Sequence, residues 1–416
     1  MTQAQTATAN GDTDHAGVPA LCAVRASAVI APGSEQECAE LIRDCAGRGA
    51  AIVPWGGGTC MHVGEPLRSA AFTALSLSGM ADRITVQASD SLVTCAAGVR
   101  FAQLADALAE EGQELPLDPP QAAHATVGGV AASDAYGVLR SAHGSVRDVV
   151  VALRMVIGTG EVVAAGAKVV KNAAGYDTCR LVTGSRGTLA VITEVTFRTR
   201  PRARSQTHLA FRVPDADASV HAVRSLSSVQ ADTAYMAVVG RGATEGPFTL
   251  LVGVSGTTGH VQSVTRNVRS LVASGNPSAV EHDPALSDEE AETGRTILHG
   301  INAGAGIRVI LPPDQAHHAI PKLASHGEEW VWLPRSGIVA ARTRPGDPAR
   351  DASFVSRLAT EWPPPTSRLW LRLPDTHAGV VPVFGGYESA LPLIRAIKCA
   401  FDPVGVLSPG RLAGAL

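Results

Sequence analysis

Ala51-Ile52-Val53-Pro54-Trp55-Gly56-Gly57-Gly58-Thr59 closes a short apolar run with three successive glycines. Three residues without Cβ let main-chain N–H groups approach a ligand closely, and such N–H concavities bind anions, phosphate above all. The run has neither the Lys of a P-loop nor the G-x-G-x-x-G spacing of a dinucleotide-binding turn. A helix is predicted before it, from Ser34 to about Ala46. Ser34 and Glu37 form a capping box and Gly47 is the expected stop. Cys38, Leu41, Ile42 and Cys45 share one face. The glycines then follow a strand over Ala51–Val53, at the end where α/β layers bind ligands.

Working outward, 416 residues predict two or three domains. The apolar fraction of 45% supports real cores, and no run approaches the roughly 18 uninterrupted apolar residues of a membrane span. Lys and Arg number 35 against 38 Asp and Glu, a net charge of −3. That gives no electrostatic case for nucleic acid or an acidic membrane surface. Residues 1–20 are polar and read as a disordered tail. Seven scattered cysteines without C-x-x-C fit a reducing cytoplasm and argue against Cys-held zinc or iron–sulfur sites.

Up to about Arg200 the chain is rich in Gly, Ala and Val. A helix is predicted over Phe101–Glu111 and stopped by Gly112. Val149–Ile157 and Glu161–Ala165 read as a hairpin across Gly158-Thr159-Gly160. Leu189–Thr199 alternates as a half-buried antiparallel strand. Three further glycine-bearing clusters lie in this half: Asp118-Pro119-Pro120 leading to Ala125-Thr126-Val127-Gly128-Gly129, then His143-Gly144-Ser145-Val146-Arg147-Asp148, then Gly184-Ser185-Arg186-Gly187-Thr188 leading to Ile192. Each alone is a plain turn; together they fit a long ligand touched by several backbone segments.

After a linker at Pro201–Arg204 the grammar changes. Strands at Leu209–Val213, Ala234–Val239 and Phe248–Val254 alternate with helices at Asp217–Val229 and around Val261–Leu271. The series recurs: strand Ile307–Leu311, helix Pro313–Ser325, strands Glu328–Leu333 and Gly337–Arg342, helix Pro348–Thr360, strand Leu369–Leu373. This β-α-β-β-α-β order is ferredoxin-like. A last helix is expected with Ser389 as its cap and Leu393, Ile394, Ile397 and Phe401 as its apolar residues.

The run from Pro54 to Arg200 resembles the FAD-binding domain of the vanillyl-alcohol oxidase and p-cresol methylhydroxylase (PCMH-type) flavoproteins. Within that superfamily it is most similar to the FAD-binding, E-type subunits of bacterial glycolate oxidase. The carriers are PWGGGT, ATVGG, HGSVRD, Lys171-Asn172-Ala173-Ala174-Gly175-Tyr176-Asp177 and RLVTGSRGTLAVITEV, with Phe401–Arg411 matching the family's C-terminal segment. The resemblance implies an α+β architecture. A disordered tail (1–20) precedes a PCMH-type FAD-binding domain of two subdomains (21–203). A ferredoxin-like antiparallel α+β cap follows (204–388), and a C-terminal helix and tail (389–416) return to the flavin domain.

The resemblance also implies that Gly56, Gly57, Gly58 and Thr59, with Pro54, cradle the FAD pyrophosphate. Pro119, Thr126, Gly128, Gly129 and Ser133 would run beside pyrophosphate and isoalloxazine. Gly144, Ser145 and Asp148 would lie near ribose and adenine, and Gly187 and Ile192 would hold the adenine end. Some relatives attach FAD through a His in the glycine run; Thr59 stands there, so FAD is expected to be non-covalent, with His62 an ordinary loop residue. Ser408 replaces the usual Asn before Pro-Gly.

The implied activity is oxidation of glycolate or a similar 2-hydroxy acid. The implied partners are a second, larger flavoprotein subunit and an iron–sulfur subunit, with any membrane association only through them. Arg308, Arg342 and Arg372 on cap strands are candidate carboxylate clamps. His299 and His317-His318 read as capping or surface residues. The chain has no H-x-H, and on a helix His317 and His318 would diverge by roughly 100°, so no metal site is expected. Catalytic residues stay unassigned. Two alternatives remain: a stand-alone FAD-dependent 2-hydroxy-acid dehydrogenase, and a non-catalytic FAD-bearing relay subunit.

Overall fold

Ser34 does start the first helix. In the computed structural model its hydroxyl accepts from the Glu37 N–H at 3.2 Å, opening α1 (Glu35–Arg48). The helix runs past Gly47 to Gly49, whose φ of 63° is the left-handed stop. The structure describes residues 20–21, 24–167, 177–228, 233–242, 248–275, 279–281, 284–301, 303–321, 329–361, 368–374, 377, 382–385 and 388–412. Residues 1–19 of the expected tail and most of Lys171–Asp177 lie outside them. The chain divides into two units: Met1–Ala135 with Ser145–Pro201 and Glu388–Leu416, and Tyr136–Gly144 with Arg202–Tyr387. The short segment 136–144, which sequence places in the flavin domain, groups with the second unit.

The first unit holds two larger sheets beside a two-stranded pairing of Gln113–Glu114 with Arg200–Pro201. One is four-stranded: Ala20–Leu21, β1 (Val24–Ile30) and, beyond β1, a strand at Phe72–Ser76 that runs parallel both to β1 and to β2 (Ile52–Trp55). The other is antiparallel. Its strands are Ile84–Gln87, Leu92–Ala96, Ala190–Arg198, Val150–Ile157 and Val162–Gly166, in that spatial order. Strand Ala190–Arg198 is not half-buried as its alternation predicts. It sits in the middle of its sheet, and eight-residue pairing and packing on both faces leave only Glu194 and Arg198 partly or fully exposed. Its Thr193 and Thr196 are buried, with Thr196 hydrogen-bonded to Thr94 at 3.0 Å. Cys38, Ile42 and Cys45 of α1 share one core with Val93, Leu153 and Val195. Burial pushes the Cys38 and Cys95 thiols up to about 12, as expected of packed, unreactive cysteines.

In the second unit the recurrence has a geometric outcome. Strands Ser205–Val213, Tyr235–Arg241, Phe248–Gly256 and Val280–Glu281 form one β-α-β-β-α-β set; strands Gly306–Ile310, Glu329–Leu333, Ile338–Arg342 and Arg368–Arg372 form another. Each set is ordered with its fourth strand beside its first and its third between first and second. The two sets join edge to edge where Val238–Arg241 pairs with Glu329–Trp332. With Phe384–Gly385 this makes an antiparallel sheet of nine strands among the described residues. Joining the edges removes two open ladders.

Helices Ala216–Ser228, Thr258–Gly275 and Pro348–Glu361 supply Leu226, Val268 and Phe354 to one face of this sheet. The opposite face is covered by helix Pro284–Leu298 and by Tyr136 and Val138. That is why segment 136–144 belongs here. Within the expected helix Pro313–Ser325, a 3-10 turn at Ala316–His318 leads into α-helix at 319–321, the last described residues of that segment. The His317 and His318 ring centroids nonetheless lie 4.0 Å apart.

Candidate functional site

Strand β2 ends at Trp55, and the glycine run follows at its C-terminal end. A Cβ on Gly56 would lie 2.2 Å from the Thr126 hydroxyl, and one on Gly57 would lie 1.8 Å from the His124 carbonyl oxygen. The glycines are therefore demanded by close approach of the 124–129 segment behind them. Their front lines a cleft. Pro54, Gly56, Gly57, Gly58, Thr59, Gly128, Gly129, Ser133, Gly187 and Ile192 all line it.

Thr126 stands just behind. It caps helix Val127–Ser133 by accepting from the Gly129 N–H at 3.2 Å. Pro119 is buried outside the lining. Ser145 and Asp148 lie outside it too and close a local capping box, with Asp148 accepting from the Ser145 N–H at 2.8 Å and its hydroxyl at 3.0 Å. Gly144 belongs to the second unit.

A further wall of the cleft comes from the C-terminal tail, which the resemblance returns to this domain. Ser408 and Arg411, near the C-terminus, line it together with Cys60, Met61 and Val63. The tail reaches it as an added strand-like segment: the Ile52 N–H donates to the Val406 carbonyl and the Ser408 N–H to the Ile52 carbonyl, each at 2.9 Å. Arg411 is 4% exposed, and its guanidinium donates to the carbonyls of Glu65, Met61 and Val63 at 3.0, 2.5 and 2.8 Å.

A buried ion pair fixes the approach. Lys398, on helix Leu391–Phe401, donates to Asp402 Oδ2 at 2.6 Å and to the carbonyls of Thr188 and Leu407 at 2.6 and 2.9 Å. Asp402 in turn accepts from the N–H groups of Gly405, Val406 and Leu407 at 3.0, 3.1 and 2.8 Å. Burial pulls the Lys398 ammonium below its usual value, opposed by Asp402. The helix thus buries its lysine while Leu393 is 64% exposed, the reverse of what its apolar pattern predicts. Ser389 is not the cap; the helix begins after Ala390, which makes no side-chain capping bond.

The candidate cap residues sort differently. Arg342 is committed: it pairs with Glu329 at 2.7 Å and donates to the Ile301 carbonyl. It is not a substrate clamp, because a second carboxylate would have to displace that buried partner. Arg308 lies 5.1 Å from the Tyr136 ring centre and its Nη1 donates to the Leu298 carbonyl at 3.4 Å; its buried Nε has no partner. Arg140 stacks on the same ring at 4.2 Å. His299 is not a surface residue; it is 4% exposed, with Nε2 2.6 Å from the Tyr136 carbonyl oxygen.

The donor set suits FAD. A glycine-walled cleft lined largely by main chain, with Arg186 and Arg411 in its wall and an unpartnered buried hydroxyl, that of Ser408, matches a long anionic ligand touched by several backbone segments. Comparison with known proteins agrees. The family model described as an FAD binding domain matches residues 26–166. The mitochondrial D-lactate dehydrogenase [cytochrome] of Arabidopsis thaliana is 31% identical over 263 residues, 60% of this chain and 46% of that protein. The D-lactate dehydrogenase of Archaeoglobus fulgidus is 34% identical over 208 residues, 49% of this chain and 46% of that protein. Glycolate oxidase subunit GlcE of Escherichia coli is 40% identical over 119 residues, 28% of this chain and 34% of that protein. The chain thus spans less than half the length of these curated relatives. Among solved structures, p-cresol methylhydroxylase with substrate bound superposes with a TM-score of 0.69 at 17% identity, covering 93% of this chain and 88% of that one. Residues 26–166 thus form an FAD-binding domain, with FAD as the cofactor, in a chain that shares the fold of p-cresol methylhydroxylase and also carries an antiparallel-sheet domain.

Proposed function

We propose that this chain is the FAD-bearing subunit of a flavoenzyme that oxidises a 2-hydroxy acid to the 2-oxo acid, glycolate being the preferred substrate. The observation that carries the reading is the glycine-walled cleft, in a chain whose relatives include D-lactate dehydrogenases and glycolate oxidase subunits. When bound, FAD supplies the hydride acceptor. Gly56–Thr59 hold its pyrophosphate, Gly128, Gly129 and Ser133 flank it, and Gly187 and Ile192 take the adenine end.

Carboxylate binding falls to Arg308, whose guanidinium lies against the Tyr136 ring. An arginine is suited to this by its planar, permanently charged fork. Electrons then pass to an iron–sulfur subunit, with a second flavoprotein subunit completing a cytoplasmic complex. No described helix is long and apolar enough to cross a membrane.

The test is the visible spectrum of the purified chain before and after anaerobic glycolate or D-lactate. Bleaching of the flavin bands by glycolate supports the reading. Bleaching by D-lactate alone moves the substrate to the longer hydroxy acid. Bleaching only when partner subunits are added makes this chain a relay subunit.

A further inference from the structure

We propose that the Ser408 hydroxyl is a hydrogen-bonding contact of the bound FAD, and that the buried Lys398–Asp402 pair is the device that positions it. Four observations converge. Ser408 is 2% exposed and lines the same cleft as the glycine run. Its Oγ has no partner, although a buried hydroxyl left unsatisfied is costly and rare. Its main-chain groups are both spent: the N–H donates to the Ile52 carbonyl at 2.9 Å and the carbonyl accepts from the Arg411 N–H at 3.1 Å. Only the side chain is left to bond. Finally, its φ of 45° is the left-handed region, which a non-glycine residue adopts at a cost and which persists where surroundings impose it.

Contacts on both sides of residue 408 impose it. Leu407, the preceding residue, gives its carbonyl to Lys398 and its N–H to Asp402. Arg411, three residues on, is anchored in the carbonyls of the loop that follows the glycine run. The backbone at 408 is therefore clamped on both sides, and its hydroxyl is held at the cleft wall. A hydroxyl donates once and accepts twice, which suits the carbonyl, ring-nitrogen and phosphate oxygen acceptors that FAD offers. Lys398 and Asp402 act through this placement and are positioning residues.

The test is FAD titration into apoprotein, followed by flavin fluorescence, beside thermal melts of apo and FAD-loaded protein. Ser408→Ala is expected to weaken FAD binding roughly two- to tenfold, the worth of one hydrogen bond. The apo melt should be unchanged or raised, because an orphan hydroxyl has been removed. Ser408→Asn, which tolerates the left-handed region and restores a donor, is expected to bind FAD within about twofold of the wild type. An unchanged affinity in Ser408→Ala overturns the proposal. So does an equal loss in the Ala and Asn variants, or an apo melt lowered as far as the loaded one, since either assigns residue 408 a purely structural role.

Discussion

Lys398→Met tests the energetics of the C-terminal clamp most directly. Methionine preserves the length of the stem and removes the charge. In the native chain the Lys398 side chain is 5% exposed and that of Asp402 is fully buried. The variant deletes three donated hydrogen bonds, to Asp402, Thr188 and Leu407. It strands a buried carboxylate and two carbonyls. Removing one member of a buried pair costs roughly 3–5 kcal/mol. The three N–H groups that still serve Asp402 place the expected loss toward the lower end, about 3 kcal/mol.

The assay is urea unfolding followed through Trp55, the only tryptophan in the first unit and a residue of the cleft wall. The double variant Lys398→Met with Asp402→Leu should not recover. Hydrophobic replacement often rescues a simple buried pair, but here Gly405, Val406 and Leu407 would lose their acceptor. A loss below about 1 kcal/mol in the single variant, the worth of one ordinary hydrogen bond, would falsify the clamp. Full recovery in the double variant would show that Asp402 does not organise the tail.

Other expectations follow from the same geometry. Gly57→Ala forces a Cβ to 1.8 Å from the His124 oxygen; FAD affinity should fall at least tenfold, readable as flavin content after purification, given that such overpacking costs roughly 1–3 kcal/mol or more. Glu329 is pushed up by burial but more strongly held down by Arg342 and Arg344, so its carboxyl titrates below the usual value. Its folded value lies under its unfolded one, so its stabilisation is present above about pH 4.3 and is lost as pH falls through the lowered value. Glu329→Gln should flatten that acid limb in melts recorded from pH 6 downward, to about pH 3, and an unchanged limb would refute the assignment. Arg308→Lys should raise KM for the hydroxy acid roughly tenfold or more while leaving FAD content intact; an unchanged KM would remove Arg308 as the clamp.

Sequence alone determined the elements whose causes are local. Ser34 and Glu37 begin α1 because a cap is a contact between near neighbours. The Gly158-Thr159-Gly160 hairpin and the recurring strand-and-helix series of the second unit are legible for the same reason, although the short strand Val280–Glu281 that completes its first set is not. The glycine run marked the cleft because a missing Cβ is visible in the residue type itself.

Tertiary structure decided what depends on distant partners. Strand Ala190–Arg198 is buried on both faces because of its neighbours in the sheet, which no alternation records. Segment 136–144 left the flavin domain because Tyr136 and Val138 find their apolar contacts on the other unit's sheet. Arg342 is spent on Glu329, thirteen positions away in the chain but opposite it on adjacent strands. The tail wall of the cleft joins Ser408 to Ile52 and Lys398 to Thr188. Such pairings cost chain entropy that only cooperative packing repays, so they leave no periodic trace in the sequence. A lysine more deeply buried than the apolar residues of its own helix is legible only once its carbonyl and carboxylate partners are in place.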